Sequence, residues 1–430
     1  MSTIQSHQLQ QHVGHKITVQ GHAQSVRDLG NLMFITVRDN GGCVQAVVSE
    51  KSVLEAARAV STEAAIIVSG SVTQMAGKPA EIQAETIEVL SASGFALPVE
   101  ISKEAKMDSL SISAMLDYRP LTLRNPKVRA IFKIQAAICQ AFSEFLIGEN
   151  FVEIHSPKIV STGTEGGANL FKLDYFGKEA FLAQSPQFYK QMMVGVFERV
   201  FEVGPVYRAE QHDTTRHVNE YISLDLEMGF IHSEQDVIAL QVRLMKHIFA
   251  RVKERCASEL AMYGAKVPEF DTIPQLRLAE AQALLTRELG WKPASDTVDL
   301  DPEAERLLCE HFAATEGTDL LYLTHYPHAV RPFYAMPEGT SSHSFDLLFR
   351  GLEVTTGGQR IHQNSELIAS MEARGLNPEK FDDYLQCFRY GMPPHGGLAI
   401  GLERLVKQLL GLSSVKLAVL FPRDLNRLTP

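Results

Sequence analysis

RVFEVGPVYRAEQHDTTRHVNEYISLDLEMGF, residues 199–230, holds two runs in which apolar and polar residues alternate, 200–207 and 221–228. Period-two alternation on either side of a loop packed with charge and hydroxyls predicts a long antiparallel hairpin. Its charges are misplaced for a solvent face. Arg208 and Glu210 end the first strand, Arg216 and His217 crown the loop, and Asp225 and Glu227 return on the second strand. Such a set offers cations for phosphates, an acceptor for a base amine and carboxylates for a metal. A salt-bridged surface hairpin is the plainer alternative.

Around the hairpin the chain runs to 430 residues, which predicts two or three domains. Apolar residues make up 45% and charged residues 21%, the balance of an ordinary soluble globular protein. No uninterrupted apolar run reaches the length of a membrane span, and the start, MSTIQSHQLQQ, lacks a basic segment followed by an apolar one. Five scattered cysteines show no zinc-type or redox-type spacing. A cytoplasmic protein with reduced thiols and no membrane partner is expected. The net charge is −10, and residues 1–95 hold six Lys and Arg against eight Asp and Glu. That excludes a broad basic footprint, so any RNA must be read locally, through single-stranded bases.

Upstream, residues 16–90 contain five strand-like runs, with a short helical stretch at 52–60 between the third and fourth. This is the order of an OB-fold barrel, a frequent oligonucleotide binder that could equally serve as a protein-binding module. Residues 96–125 mix Ser, Pro and charge and read as a hinge. The stretch 128–148 carries apolar residues at helical spacing and leads into a short strand and Pro157. Downstream, Asp346 and Glu353 are seven apart, which on one regular strand turns them to opposite faces unless Arg350-Gly351 bends the chain.

Arg208-Ala-Glu210 followed by Thr214-Thr-Arg-His217 resembles motif 2 of the class II aminoacyl-tRNA synthetases, in the aspartyl and asparaginyl branch. Gly401-Leu-Glu-Arg404, after the strand-like Gly397-Leu-Ala-Ile400, resembles motif 3, and the helix ending before Pro157 resembles motif 1. The likeness covers nearly the whole chain and is to the compact aspartyl type of archaea and eukaryotes. It implies an α+β protein: an OB-fold β-barrel over 1–95 that binds the anticodon, a hinge at 96–125, and a class II catalytic domain over 126–430, an antiparallel sheet flanked by helices. An insert at 231–335 is assigned scaffold roles only. Motif 1 implies a homodimer.

The resemblance further implies ATP and L-aspartate as substrates, Mg2+ as the metal, and transfer of the activated aspartate to tRNA. Arg208, Arg404 and Glu353 would carry the chemistry. For ATP it assigns Arg208, Glu210 at the adenine amine, Tyr221 stacking on the ring, Arg216, His217, Glu353, Gly401 and Arg404. For aspartate it assigns Glu165 at the α-amine in a closing Thr-Glu-Gly-Gly loop, Gln187, Lys190, Arg208, Thr356 and Arg360. Lys190 and Arg360 would surround the β-carboxylate, leaving asparagine with poorly paired cations. Glu353, Thr356 and Asp346 would hold the metal.

In the barrel, Arg27, Phe34 and Gln45 match residues that hold the central anticodon uridine, with a buried core aromatic as the plainer reading of Phe34. One departure stands out: His22 replaces a Trp usual in aspartyl relatives, and residues 75–79 form a short turn with Lys78 as its lone charge. A looser pocket for the third anticodon base implies an enzyme that charges both tRNA-Asp and tRNA-Asn. Such an enzyme needs an amidotransferase that converts Asp-tRNA-Asn. The alternatives are an enzyme restricted to one of these tRNAs, an asparaginyl enzyme, disfavoured by Lys190 and Pro186, and a tRNA-independent amide ligase, disfavoured by the barrel.

Overall fold

The structure, a computed structural model, describes residues 2–164, 169–211, 213–293 and 299–430. They fall into two compact units, Met1–Val128 and Arg129–Pro430. In the first, the 13-residue strand Lys16–Asp28 is long enough to pair with Met33–Arg38 and also with Ala65–Thr73, which closes a barrel. Cys43–Val48 and Glu81–Ser91 complete it and pair in parallel, with the helix Lys51–Ala57 lying between them in sequence. Ile17, Val19, Ile35 and Val37 point inward and are fully buried. The expected OB-fold is therefore present, strand for strand. Residues 96–125, expected as a hinge, form three short helices, Glu104–Ser109, Ile112–Asp117 and Arg119–Thr122. Gln24 Nε2 donates to Ser102 O (3.0 Å) and Arg124 pairs with Glu63 (3.0 Å), so this segment is bonded to the barrel.

The second unit is built on an eight-stranded sheet. Its six central strands are antiparallel: Leu320–Thr324, Ser344–Phe349, Leu352–Arg360, His395–Gly401, Glu220–Gly229 and Arg199–Tyr207. The edge strands, Gln275–Arg277 and Val152–Glu153, pair in parallel, a departure from the all-antiparallel expectation. The predicted hairpin pairs in unbroken register from Arg199 opposite Met228 to Tyr207 opposite Glu220.

Period-two alternation sorts the faces of this sheet. Leu224, Leu226, Leu398 and Ile400 face the helices Pro126–Gly148, Glu234–Arg255 and Leu402–Leu410, and each buried aliphatic side chain is worth ~1.5–3 kcal/mol. Asp225, Glu227 and Ala399 thereby face the other way. The helix Pro126–Gly148 is long and apolar enough to span a membrane by composition, but Ile134, Ile138, Phe142 and Leu146 are fully buried in this core.

Candidate active site

The face opposite those helices opens into a cavity of about 980 Å3. Gln187, Lys190, Arg208, Glu210, Arg216, His217, Tyr221, Glu353, Thr356, Arg360, Gly401 and Arg404 all stand in its wall, as the motifs required. Asp346 does not line it, and Glu165 lies outside the described residues.

At one end stand the cations. Arg208 is placed through its backbone: its N–H donates to Asn219 O (2.9 Å), and Asn219 Nδ2 donates to Arg208 O (2.7 Å) and Glu210 O (3.1 Å). Asn219 was given no role from the sequence, although an amide directly before a strand can clasp the preceding loop through its backbone carbonyls. His217 Nδ1 contacts the Thr214 hydroxyl at 2.7 Å. Arg404 donates to Glu353 O (3.1 Å), and the Thr356 hydroxyl donates to Glu353 Oε1 (2.9 Å). Burial alone would raise the Glu353 pKa, but Arg404 and the Thr356 hydroxyl, helped by Arg331 and Arg208, hold it below its ordinary value. Glu353 is thus a carboxylate at neutral pH.

Asp346 and Glu353 do not share a strand. The chain reverses at Arg350 (φ +47°) and Gly351 (φ +80°), with a bulge between Leu347 and Leu348, so Asp346 lies across from Thr356. Arg331 takes Asp346 Oδ2 at 2.6 Å. Burial, then the charge of Glu353, push Asp346 up to about 6 against the pull of Arg331. Its Oδ1 is buried with no partner among the described residues. An all-oxygen set with an unsatisfied carboxylate oxygen beside it fits a hard divalent cation.

The insert is more than scaffold. Arg216 pairs with Glu305 from the helix Pro302–Thr315, 89 positions away in sequence, and burial pushes Glu305 up to about 7 despite that cation. Residues 329–335 of the insert form part of the cavity wall. Glu403, quoted within motif 3 but given no role, accepts from Ile222 N with both oxygens (3.1 and 3.2 Å) and ties the motif 3 helix to the motif 2 hairpin. Burial raises it to about 8.

At the other end Lys190 Nζ donates to Asp225 Oδ1 (2.7 Å) and lies 3.5 Å from Glu227 Oε2. Arg360 Nε donates to Glu227 Oε1 (2.8 Å), and its Nη2 reaches Gly397 O (3.1 Å) and Gln187 Oε1 (3.4 Å). All four charged side chains are buried. One expectation is corrected here. Asp225 and Glu227 are counterions of Lys190 and Arg360 and not metal ligands, because a buried polar sheet face must neutralise its own charge. Lys190 and Arg360 are thus already paired within the protein. Gly397 makes room for the cluster, since a Cβ there would lie 2.2 Å from Glu227 Oε2. Behind it, Tyr384 donates to Gln191 Oε1 (2.9 Å), which turns the Gln191 amide N–H toward His395 Nε2 (2.9 Å). Burial lowers His395 to about 4, so it is neutral.

In the barrel unit, Arg27 lies across from Phe34 and Thr36 across from Gln45, all on the outward face. Phe34 is only partly buried and is not a core residue. Gln45 Nε2 donates to Glu81 (3.1 Å), the first residue of the strand that follows the 75–79 turn. His22 lies across from Arg38, which makes a buried two-bond pair with Glu63 (both 2.7 Å). Burial, then Arg124 and Arg38, lower the His22 pKa, so it stands neutral beside these charges.

The profile of tRNA synthetases class II (D, K and N) matches residues 111–425, and that of the OB-fold nucleic acid binding domain matches 17–90. A Deinococcus radiodurans protein named aspartate-tRNA(Asp/Asn) ligase is 49% identical over 434 residues, and its Thermus thermophilus namesake is 48% identical over 430; each pairing covers 98% of both chains. A Pyrococcus horikoshii protein named aspartate-tRNA(Asp) ligase is 40% identical, with 97% of both covered. Among solved structures, the P. horikoshii asparaginyl-tRNA synthetase complexed with asparaginyl-adenylate superposes with a TM-score of 0.89 at 30% identity, covering 98% of this chain and 97% of that one. An arginine-lined cavity over an antiparallel sheet, an OB-fold barrel before it and full-length relatives near half identical leave one conclusion: the chain belongs to the class II tRNA synthetases of the D, K and N group, ligases that join an amino acid to tRNA using ATP.

Proposed function

We propose that the protein is an aspartate-tRNA ligase that charges both tRNA-Asp and tRNA-Asn. The observation that carries the reading is the shared cavity wall, with Lys190 and Arg360 at one end and Arg208, Arg404 and Glu353 at the other. In the first step a carboxylate oxygen of aspartate bonds to the α-phosphorus of ATP and pyrophosphate leaves. In the second the 3′-hydroxyl of the terminal ribose bonds to the acyl carbon, its proton is lost to solvent and AMP leaves. Positioning and charge neutralisation supply most of such a rate, so no nucleophilic side chain is needed.

Arg208 bridges the aspartate α-carboxylate and the α-phosphate with one planar fork. Glu210 accepts from the adenine amine, and Tyr221 stacks on the ring. Arg216, His217 and Arg404 bind the outer phosphates, Arg216 exchanging Glu305 for phosphate oxygen. Glu353 and the Thr356 hydroxyl would hold Mg2+, with Asp346 adding negative charge from behind and keeping Arg331 in place. That ion would neutralise phosphate charge. Glu165 binds the α-ammonium group.

Lys190 and Arg360 present only N–H donors, which match the two acceptor oxygens of a β-carboxylate, whereas an asparagine NH2 would meet them donor to donor. Relaxed tRNA choice is supported by the shared central uridine, by His22 and the 75–79 turn, and by the names of the D. radiodurans and T. thermophilus relatives. It places an Asp-tRNA-Asn amidotransferase downstream. Charging of purified tRNA-Asp and tRNA-Asn transcripts with aspartate and with asparagine tests the whole reading. Aspartate is expected on both, within about tenfold in efficiency, since a site that penalises neither base discriminates little. A hundredfold preference for either tRNA would defeat the dual role, and a preference for asparagine would defeat the substrate.

Phe34→Ala is expected to raise KM for tRNA roughly ten- to a hundredfold, as loss of one base-stacking contact does. Pyrophosphate exchange and melting temperature should stay unchanged, because Phe34 is outside the barrel core; a fall in exchange would argue against an anticodon role.

A homodimer is proposed through the Pro126–Gly148 helix and the sheet edge at Val152–Glu153, where Ile147 and Val152 leave large apolar side chains exposed. Edges of this kind are normally covered by a second chain or by charge. Multi-angle light scattering should give a dimer at assay concentration, and an active monomer would remove this proposal.

A further inference from the structure

Glu234, His325 and His343 come together on the catalytic unit, and none of them lines the active-site cavity. Glu234 opens the helix Glu234–Arg255 and is buried. His325 directly follows the strand Leu320–Thr324, and His343 directly precedes Ser344–Phe349. These strands pair, and His325 N donates to Ser344 O (2.9 Å), so the two histidines stand at the neck of a single excursion of the chain.

The donor atoms are aimed at one another. His343 Nδ1 lies 2.7 Å from Glu234 Oε2, and the facing atoms of Glu234, His325 and His343 lie within 4.8 Å of one another. Glu338 Oε2, from the excursion itself, lies 3.2 Å from His325 Nε2. Tetrahedral zinc with bonds of ~2.0–2.2 Å needs donors roughly 3.4 Å apart, which these side chains reach with small rotations. The tautomer suits a ligand. The Thr324 hydroxyl donates to Leu276 O (3.3 Å), leaving its oxygen to accept from His325 Nδ1–H (2.8 Å) and the Nε2 lone pair to face the cluster. His325 also holds φ +60°, a conformation that residues with a Cβ adopt sparingly and that surrounding contacts must impose.

We propose that Glu234, His325 and His343, with Glu338 as the fourth donor, form a site for a divalent transition-metal ion, best matched by zinc, that clamps the neck of the 325–343 excursion. Two imidazoles and two carboxylates are a borderline donor set, distinct from the all-oxygen set around Glu353. The clamp bears on the amino acid end of the cavity. The excursion carries Arg331, which pairs with Asp346, and Tyr334, whose ring centre lies 5.5 Å from the Arg360 guanidinium. His343 O accepts from Gln359 N (2.8 Å), next to Arg360. A metal at the neck therefore fixes how these residues meet the substrate.

The test uses the full-length protein, stripped with chelator, reloaded with Zn2+ and gel-filtered in excess Mg2+. The wild type is expected to retain one zinc per chain, to give the visible absorption of tetrahedral cobalt when loaded with Co2+, and to show a lower KM for aspartate with an unchanged KM for ATP when zinc is bound. His325→Ala and His343→Ala should each lose the ion, while Glu353→Gln should keep it. A wild type that retains no stoichiometric zinc, or zinc that persists in His343→Ala, overturns the proposal. Should the histidine variants fail to fold, the wild-type stoichiometry and the cobalt spectrum decide it alone.

Discussion

Arg208→Ala is expected to lower aspartate-dependent pyrophosphate exchange by about 10³-fold, the scale of loss when a positioned cation is removed from developing phosphate charge. Melting should shift by about 2 °C or less. The separation follows from how Arg208 is held. Its backbone is fixed by Asn219 on both sides, at 2.9 and 2.7 Å, and those bonds do not involve the guanidinium. Arg208→Lys should recover little, because one ammonium cannot bridge two acceptors as a planar fork does. Asn219→Ala makes the complementary case: the guanidinium stays, its backbone clasp goes, and an intermediate loss of exchange is expected. Exchange by Arg208→Ala within tenfold of the wild type would mean that the substrates are aligned by other groups.

How far the sequence could be read followed the range of the interactions. The hairpin at 199–229 and the barrel strands announce themselves through alternation between neighbours, and the barrel's closure follows from one strand of 13 residues. Motif residues were legible because their chemistry is local to short segments, and the cavity wall gathers all but Asp346 and the undescribed Glu165. Pairings across the fold were not. No local pattern links Arg216 to Glu305, and nothing near Lys190 tells that Asp225 already occupies it. One signal went unused. Asp225 and Glu227 alternate with Leu224, Leu226 and Met228 on a central strand, so their face had to be buried and to find cations within the protein. For Asp346 and Glu353 the glycine at 351 was a readable sign of a bend, and the structure makes that bend at Arg350-Gly351 a full reversal between two paired strands.

That buried cluster changes what Arg360→Ala should do. A residue that only greets substrate could be cut away with a loss of aspartate affinity alone. Here the cut also strands Glu227, whose side chain has 0% exposure, with Lys190 at 3.5 Å as its remaining cation and a neutral His395 nearby. Breaking a buried pair from one side costs ~3–5 kcal/mol, which for a unit of this size lowers the melting temperature by roughly 5–8 °C. Aspartate-dependent kcat/KM should fall about 10³-fold or more, since a missing partner for a buried carboxylate is penalised far beyond a difference in size. The two effects can be pulled apart. In Arg360→Met with Glu227→Gln the stranded charge is gone and the volume is nearly kept, so most of the melting temperature should return. Aspartate use should not return, while ATP affinity stays near that of the wild type. Full recovery of aspartate activity in the double variant would reduce Arg360 to a counterion for Glu227, and the β-carboxylate would then belong to Lys190 alone.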